Sequence, residues 1–449
     1  MADAAKQETL TLLQDILKKA KGFGATSADI VLSDSSSVSV SRRLGKQESL
    51  SRSEDADIGL RVFVGKRSAI VSTSDRASDA LDALTERAVA MARSVPEDAF
   101  AGIADPSELA KTFPDLDMYD PREISVEKMN EYADRAEQAA RDVRGVTNSD
   151  GAEFGCGRDV SYYAASNGFA GYYESSGFSL SASVIAGKGT AMETDYDFDS
   201  AAFLDDLADP EEIGRSAGAR AVQALHPRKG PTKQVPVVFD RRASGGLIGS
   251  LAGAVSGTAV ARGTTFLKDK MGEQVFAAGI TVIDDPFLKR GHRSHAFDGE
   301  GVAPHKRAII DKGVLTGWLL DLASARQLGL KTTGNAARGS GGPPAPRAAN
   351  FYMQPGSVTP EELIGDIEEG FLVTQMLGGG GNIITGDYSR GARGFWIEKG
   401  RVAYPVSEMT IAGNLKDMWM NIAPANDLQM KYGIDAPTLR IDGMMVAGS

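Results

Sequence analysis

The chain has 449 residues, enough for about two or three domains of roughly 100 to 200 residues each. It has 60 acidic and 49 basic residues, for a net charge of -11, which argues against a nucleic-acid partner because phosphate would be repelled. A single cysteine, Cys156, excludes an intramolecular disulfide. The sequence shows neither a basic-then-apolar leader nor a run of 18 apolar residues, so we expect a cytoplasmic protein without a membrane span.

The first half of the chain alternates between helical and strand-like patterns. Apolar residues at helical spacing predict helices over 6–20, 76–94 and 125–143, the last opened by Ser125 as N-cap. Polar and apolar residues alternate over 28–75, which predicts four or five antiparallel strands.

A second group of strands is predicted over 145–198, with a hairpin turn at Asn167-Gly168, and a helix follows over 210–225. The run HPRKGPTKQ then combines Pro, Gly and basic residues as a linker does. We therefore predict an N-terminal domain over 1–225, a linker over 226–233 and a C-terminal domain over 234–449.

The second half predicts a strand over 234–240, a small-residue helix over 242–257 and then many short, glycine-bounded strands. The segment 338–350 is too irregular for an ordinary connection, so it is either a functional or partner-facing loop or disordered. The overall fold class is α+β: an N-terminal domain of antiparallel sheets and helices, and a largely antiparallel β domain, barrel-like or sandwich-like.

Metal-ligand candidates are few. His292, His295 and Asp298 have a His-x-x-His-x-x-Asp spacing that could surround one ion, but their setting reads as a polar loop, so they are weak candidates. Four acids, Glu193 to Asp199, alternate on a predicted strand and favour a solvent-facing edge over a cation site.

The sequence patterns for a catalytic nucleophile and for a phosphate-binding loop are also weak. Ser125 and Lys128 match a serine-lysine spacing, but Ser125 already serves as a helix cap. Cys156 has no nearby histidine in sequence and favours a structural thiol. The run Gly378 to Gly381 lacks the lysine of a P-loop and favours a tight turn. The residues alone thus predict no catalytic constellation.

Several long strings carry a family resemblance. DIGLRVFVGKRSAIVSTSD at 57–75, FDGEGVAPHKRAIIDKGVLTGWLLDLASARQLGL at 297–330, TTGNAARG at 332–339, GDYSRGARGFWIEKG at 386–400 and SEMTIAGNLKDMWMNI at 407–422 resemble the TldD/PmbA family, formerly called modulators of DNA gyrase. Their order and spacing agree from about residue 25 to the C-terminus.

The resemblance implies a heterodimeric metallopeptidase in which only the TldD branch carries a zinc-binding His-Glu-x-x-x-His and a late cysteine ligand. Here the motif positions fall on or near Gly249, Ser250 and Ala254, and no cysteine occurs over 426–442. Neither ligand nor general base is present. The chain therefore resembles the PmbA (TldE) branch, with no cofactor of its own and zinc expected in a TldD-type partner.

Three hypotheses follow. The leading one is a non-catalytic subunit of a cytoplasmic zinc metallopeptidase that processes unfolded peptides or peptide precursors. The second is a stand-alone peptide-binding or scaffold protein, such as a homodimer. The third is an enzyme with a metal site rebuilt from His292, His295 and Asp298.

The predicted peptide- or partner-binding surface consists of glycines that allow close backbone approach and polar residues that could position main chain. Its members are Gly378, Gly379, Gly380, Asn335, Asp387, Tyr388, Arg390 and Asn414. The alternative is that these residues only shape turns.

Overall fold

The computed structural model describes residues 2–448. The N-terminal half contains four α-helices and six strands, with short 3-10 turns at Gly189–Ala191 and Leu204–Asp206. In chain order these are α1 (Ala2–Gly22), β1 (Ser27–Arg43), β2 (Lys46–Val64), β3 (Arg67–Thr73), α2 (Ser78–Ser94), α3 (Val126–Arg141), β4 (Val146–Ala165), β5 (Ala170–Ala186), β6 (Glu193–Ala201) and α4 (Pro210–Gln223).

These strands form one antiparallel sheet in the order β3-β2-β1-β4-β5-β6. Side chains of a strand alternate between its two faces, so even-numbered and odd-numbered residues of β1 lie on opposite faces of the sheet. On β1, the even positions Ile30, Leu32 and Val40 pack under the four helices, α1 and α2 over one end of the sheet and α3 and α4 over the other. The odd positions of β1, such as Asp29 and Val31, face the C-terminal half.

The N-terminal half has fewer strands than predicted over 28–75, and it has the predicted N-cap of α3. The expected four or five strands over 28–75 are three, because β1 and β2 continue as one long hairpin through the polar stretches that looked like breaks. A strand does not end at serines when its neighbour on each side keeps the hydrogen-bond ladder. Ser125 does cap α3, its Oγ accepting from the Lys128 amide at 3.3 Å.

The C-terminal half contains many short strands and five short helices. They are β7 (Arg228–Lys229), β8 (Lys233–Phe239), α5 (Arg241–Ala254), α6 (Gly257–Arg262), β9 (Val282–Asp285), β10 (Arg307–Asp311), β11 (Val314–Leu315), α7 (Leu322–Leu328), β12 (Ala336–Ala337), β13 (Ala345–Pro346), β14 (Asn350–Met353), α8 (Pro360–Ile364), β15 (Glu369–Leu377), β16 (Asp387–Glu398), β17 (Arg401–Asn414), α9 (Leu415–Met420), β18 (Ile422–Pro424), β19 (Ile434–Asp435) and β20 (Leu439–Gly448).

Five of these strands close on themselves. The order β20-β8-β15-β16-β17 is completed by a β17–β20 pairing, which makes a barrel-like sheet that is antiparallel except between β8 and β15. A second sheet has the order β11-β10-β9-β14-β19, and one large core that includes Trp396, Trp419 and Phe239 joins it to the barrel and to α5. The predicted α+β class with a largely antiparallel, barrel-like C-terminal half is confirmed.

The loop predicted over 338–350 is held at both ends. β12 and β13 pair across it as a two-residue ladder. Near its start, the backbone of Ser340 lies so close to Gly59 of β2 that a Cβ added to Gly59 would overlap the Ser340 carbonyl oxygen. The loop is therefore part of the contact between the two halves of the molecule.

Within residues 2–448, no helix is both long and apolar enough to cross a membrane. The proposed division at 226–233 remains a prediction; β7, which starts at Arg228, already pairs with β17 of the barrel.

Candidate functional site

Helix α5, where the family motif would lie, has a buried face and an open face. Leu247, Ile248 and Leu251 are fully buried in the C-terminal core. A Cβ built on Gly249 or Gly253 would meet nothing within 4 Å. Because residues four apart share a helix face, these two glycines border the same open space.

The three motif positions are therefore unequal. Ser250 is half-buried, and its Oγ donates to the Gly246 carbonyl at 3.2 Å. Ala254 is fully buried, so a side chain there would enter the core rather than the open space beside Gly249. Gly253 is the position that could present a second ligand with Gly249. None of these side chains can ligate zinc, so the residues present do not fit the ion.

The glycine turn after β15 lies against the open face of α5. A Cβ on Gly380 would stand 3.9 Å from Ser250 Oγ, whereas one on Gly379 would meet nothing. Arg390 Nη2 donates to the Gly378 carbonyl at 2.8 Å and so holds the start of the turn. We use the name α5 groove for the open surface that Gly249 and Gly253 share with the turn 378–381.

Two neighbouring predicted site residues stabilise the frame of this turn. Tyr388 is buried, and its hydroxyl donates to Met376 Sδ at 3.2 Å. Burial raises the pKa of Tyr388, so it stays neutral. Arg390 supports the turn directly, although its Nε is buried without a hydrogen-bond partner among the described residues.

Two more polar members of the predicted surface shape the end of the β16–β17 hairpin. Asp387 accepts from Thr385 Oγ1 at 2.7 Å, and Asn414 Nδ2 lies 3.4 Å from Asp387 Oδ1. Asn414 Oδ1 also caps α9 by accepting from the Lys416 amide at 3.1 Å. These bonds are local, and they give both side chains a structural use besides any binding role.

Asn335 lies elsewhere. It is buried, and its amide donates to Asp284 Oδ2 at 2.8 Å and to the Arg347 carbonyl at 3.2 Å. It borders a cleft of about 480 Å³ between the two halves of the molecule. The tertiary structure thus divides the predicted surface into an α5 groove and this second place, which we call the interdomain cleft.

Beside the interdomain cleft, buried charges join the two halves. Asp29 of β1 is bound by Arg61 of β2 at 2.5 Å and by Arg338 of the C-terminal half. Arg61 also lies 3.4 Å from Glu300, and Arg338 donates to the Gly59 carbonyl at 3.1 Å. We call these groups the interdomain ion cluster. Sequence reasoning missed it, because nothing local brings β1, β2 and the 298–338 segment together.

Burial governs the protonation of this cluster. Desolvation raises the pKa of Glu300 and that of the neighbouring Asp298, and it lowers the pKa of Arg338. The Tyr163 hydroxyl is buried there without a described partner, and its pKa is raised for the same reason. A neutral Glu300 would leave two arginines facing the Asp29 carboxylate.

The weak metal candidates all border the interdomain cleft. Asp298, however, uses its carboxylate to accept from the amides of Glu300, Val302 and Ala336. His295 Nδ1 lies 2.9 Å from the Arg293 carbonyl, and His292 is exposed. Among residues 2–448, no three His, Cys, Asp or Glu side chains are grouped so as to hold a metal ion.

The sequence predicts a solvent-facing strand edge for the alternating acids of β6. β6 is the edge strand of its sheet, but its acids face cations rather than solvent. Each carboxylate meets a cation: Glu193 and Asp195 pair with Arg393, Asp195 with Arg242 at 3.2 Å, Asp197 with Arg220 at 4.0 Å, and Asp199 with Lys431 at 3.4 Å. Cys156 is half-buried, and burial raises the pKa of its thiol, which disfavours a reactive thiolate.

Family models match nearly the whole chain. They describe PmbA/TldA metallopeptidase domain 1 over residues 28–92, the central domain over 119–225 and the C-terminal domain over 232–448. The chain is 38% identical over 423 residues to the metalloprotease PmbA of Escherichia coli O157:H7, covering 94% of this chain and 92% of the relative. It is 36% identical to a PmbA homologue of Haemophilus influenzae, covering 99% and 97%.

The fold is shared with a solved structure as well. The chain resembles a proposed modulator of DNA gyrase from Bacteroides thetaiotaomicron with a TM-score of 0.90 and 30% identity, covering 98% of this chain and 99% of that one. These matches run along the same segments as the strings that carried the resemblance. The chain belongs to the PmbA/TldD metallopeptidase family, on its PmbA branch.

Proposed function

We propose that this chain is the non-catalytic subunit of a cytoplasmic zinc metallopeptidase, paired with a TldD-type subunit that holds the zinc, and that the complex processes unfolded peptides. One observation carries the proposal. Helix α5 presents Gly249, Ser250 and Gly253, without a ligand or a general base, to an open groove edged by a second glycine run. A groove of this kind can accept backbone but cannot activate water.

The groove suits an extended peptide for a physical reason. Strand-like segments bind through main-chain hydrogen bonds, which need close approach and little side-chain bulk. Gly379 and Gly380 leave room for that approach, and neither has a left-handed φ, so their backbone does not itself require glycine.

The first test is reconstitution. The chain is co-expressed with the His-Glu-x-x-x-His homologue of the same genome, and co-purification and cleavage of an unfolded polypeptide are measured. We expect a complex that cleaves, whereas neither subunit cleaves alone. Activity of this chain by itself, with one tightly held zinc lost on replacing His292 and His295 by alanine, would support the rebuilt metal site instead.

The second test addresses the groove. Gly379→Val/Gly380→Val should keep the Tm and the pairing with the zinc subunit but reduce cleavage at least 10-fold, because the added side chains enter the path of the peptide. The matched control is Gly341→Val/Gly342→Val, another adjacent pair with open surroundings. Equal activity of the two double variants would remove the groove from the proposal.

A stand-alone peptide-binding homodimer is the alternative. It predicts that the purified chain sediments as a dimer and does not change its mass when the zinc-bearing homologue is added. Sedimentation velocity of each chain and of the mixture distinguishes the two functions.

A further inference from the structure

Two of the cavities that lie between the halves of the molecule differ in whether their arginines are paired with acids. The larger, of about 630 Å³, is bordered by Arg242 and Arg393. Both are paired with Asp195 at 3.2 Å, and Arg393 also lies 3.4 Å from Glu193. Its positive charge is neutralised within the chain.

The interdomain cleft differs. It is bordered by Arg293 and Arg347, and within residues 2–448 neither guanidinium makes a hydrogen bond or an ion pair. Arg293 is half-buried, and the pKa of its side chain is lowered by burial and by the charge of Arg347. Arg347 is exposed, so water partly screens the repulsion between the two cations, and an anion that binds beside both of them stabilises them further.

Two acids offset this repulsion only in part: the charges of Asp435 and Asp284 act to raise the pKa of Arg293, but burial and Arg347 outweigh them. Asp435 accepts from the amides of Lys431, Tyr432 and Gly433, and Asp284 accepts from Asn335 and from the Ala349 amide. Both carboxylates are thereby oriented toward these donors. Neither lies within ion-pair distance of Arg293 in the described part of the chain.

An aromatic wall borders the same cleft as the cations. Phe297 is buried and packs edge-on against Phe113 and Tyr173, with ring centroids 5.5 Å apart in each case. Phe113 and Tyr173 are 50% and 41% exposed, so they offer apolar surface to a ligand. A cleft of about 480 Å³ has the size of one or two residues of a peptide.

We propose that the interdomain cleft binds a peptide carboxylate, with Arg293 and Arg347 holding the anion and the Phe113–Tyr173–Phe297 wall holding the adjoining apolar side chain. The carboxylate is either the C-terminus of the peptide or an acidic side chain. The choice of a peptide as ligand rests on the proposed function, but binding to the isolated chain is measurable without the zinc subunit.

The experiment is fluorescence anisotropy of the purified full-length chain with three labelled peptides. The first is fluorescein-Gly-Gly-Ala-Phe as free acid, the second is its C-terminal amide, and the third is an amide with glutamate before the phenylalanine. We expect the free acid to bind at least 10-fold tighter than the plain amide. If the glutamate peptide recovers that affinity, an acidic side chain also serves as the source.

Variants show where the peptide binds. Arg293→Gln/Arg347→Gln should weaken the free acid at least 10-fold and leave the plain amide unchanged, whereas Arg52→Gln/Arg87→Gln, with the same loss of charge at exposed sites, should change neither. Arg347→Gln alone, at an exposed position, repeats the test if the double variant has a lowered Tm. Equal affinity for acid and amide, no binding, or unchanged binding in both arginine variants would overturn the proposal.

Discussion

The α5 groove and the interdomain ion cluster differ in whether they contain ionisable side chains and in how deeply their residues are buried. At the groove, Gly249 and Gly253 leave open space, and the side chains at the motif positions carry no ionisable group. At the cluster, Asp29, Arg61 and Arg338 are almost completely buried and bound to one another. The positions of the family's zinc motif thus carry no ionisable side chain here, whereas buried charged side chains join the two halves of the molecule.

The contrast predicts which substitutions should lower the stability of the fold. Buried ions that lose a partner destabilise a protein strongly, because the remaining charge has no water to solvate it. Glycines that face open space carry little of the stability, since an added methyl group meets nothing. Stability and peptide binding should therefore separate between the two regions, and four changes test that separation.

The largest loss of stability is expected from Asp29→Ala. It leaves Arg61 and Arg338 without their shared carboxylate, which should lower the free energy of unfolding by about 3 to 5 kcal/mol. Chemical denaturation measures it. Asp34→Ala, on the same strand, breaks the exposed pair with Arg76 and should cost less than about 1 kcal/mol. Similar losses in both variants would contradict the role given to the cluster.

The pH dependence of stability should come next. Burial raises the pKa of Glu300 from its ordinary 4.5 to about 7. Because the folded chain binds this proton more tightly than the unfolded chain, protonation of Glu300 stabilises the fold fully at a pH below the unfolded pKa. That stabilisation, up to about 3 kcal/mol, is lost as the pH rises through about 7.

Glu300→Gln removes this titration and can keep the hydrogen bond that Leu322 donates to the side chain. Its stability should therefore vary less than that of the native chain between about pH 5 and 8. Denaturation curves at several pH values make the comparison. Parallel profiles would mean that Glu300 stays ionised beside Arg61.

A smaller loss is expected from Gly59→Ala. The new Cβ would meet the Ser340 backbone, so the two halves must move apart locally, at about 1 to 3 kcal/mol. Gly177→Ala in β5 adds the same methyl group to an open position and is the control. Thermal unfolding of both variants measures the difference in Tm. Equal Tm values would show that the 338–350 loop moves away from the new methyl group without loss of stability.

The smallest effect should have the opposite sign. Gly249→Ala fills open space on a helix and should stabilise the chain by about 0.5 to 1 kcal/mol, since alanine favours helix. If the α5 groove carries peptide, cleavage by the reconstituted complex should fall nonetheless. Destabilisation would mean that the glycine is needed for the fold.

Much of the candidate site was predictable because its signals are local. The small-residue helix, the missing ligands at Gly249 and Ser250, and the glycine turn can each be read within a few residues. Ala254 could not be placed, since helix orientation depends on what the other face buries. The sequence analysis grouped Asn335 with Gly378 in one surface, whereas the structure places Asn335 at the interdomain cleft with Asp284.

The sequence by itself determined the family, the α+β class, the five longer helices and the absence of a zinc motif, because these depend on periodicity and on which residue types are present; the short helices α6 to α9 were not predicted. Only the tertiary structure decided that the even face of β1 meets helices while its odd face meets the second half. It also decided that the β6 acids pair with arginines and that Arg293 and Arg347 share a cleft. The charge contacts among them join residues that are distant in the chain, and chain-local patterns contain no information about which distant charges will meet.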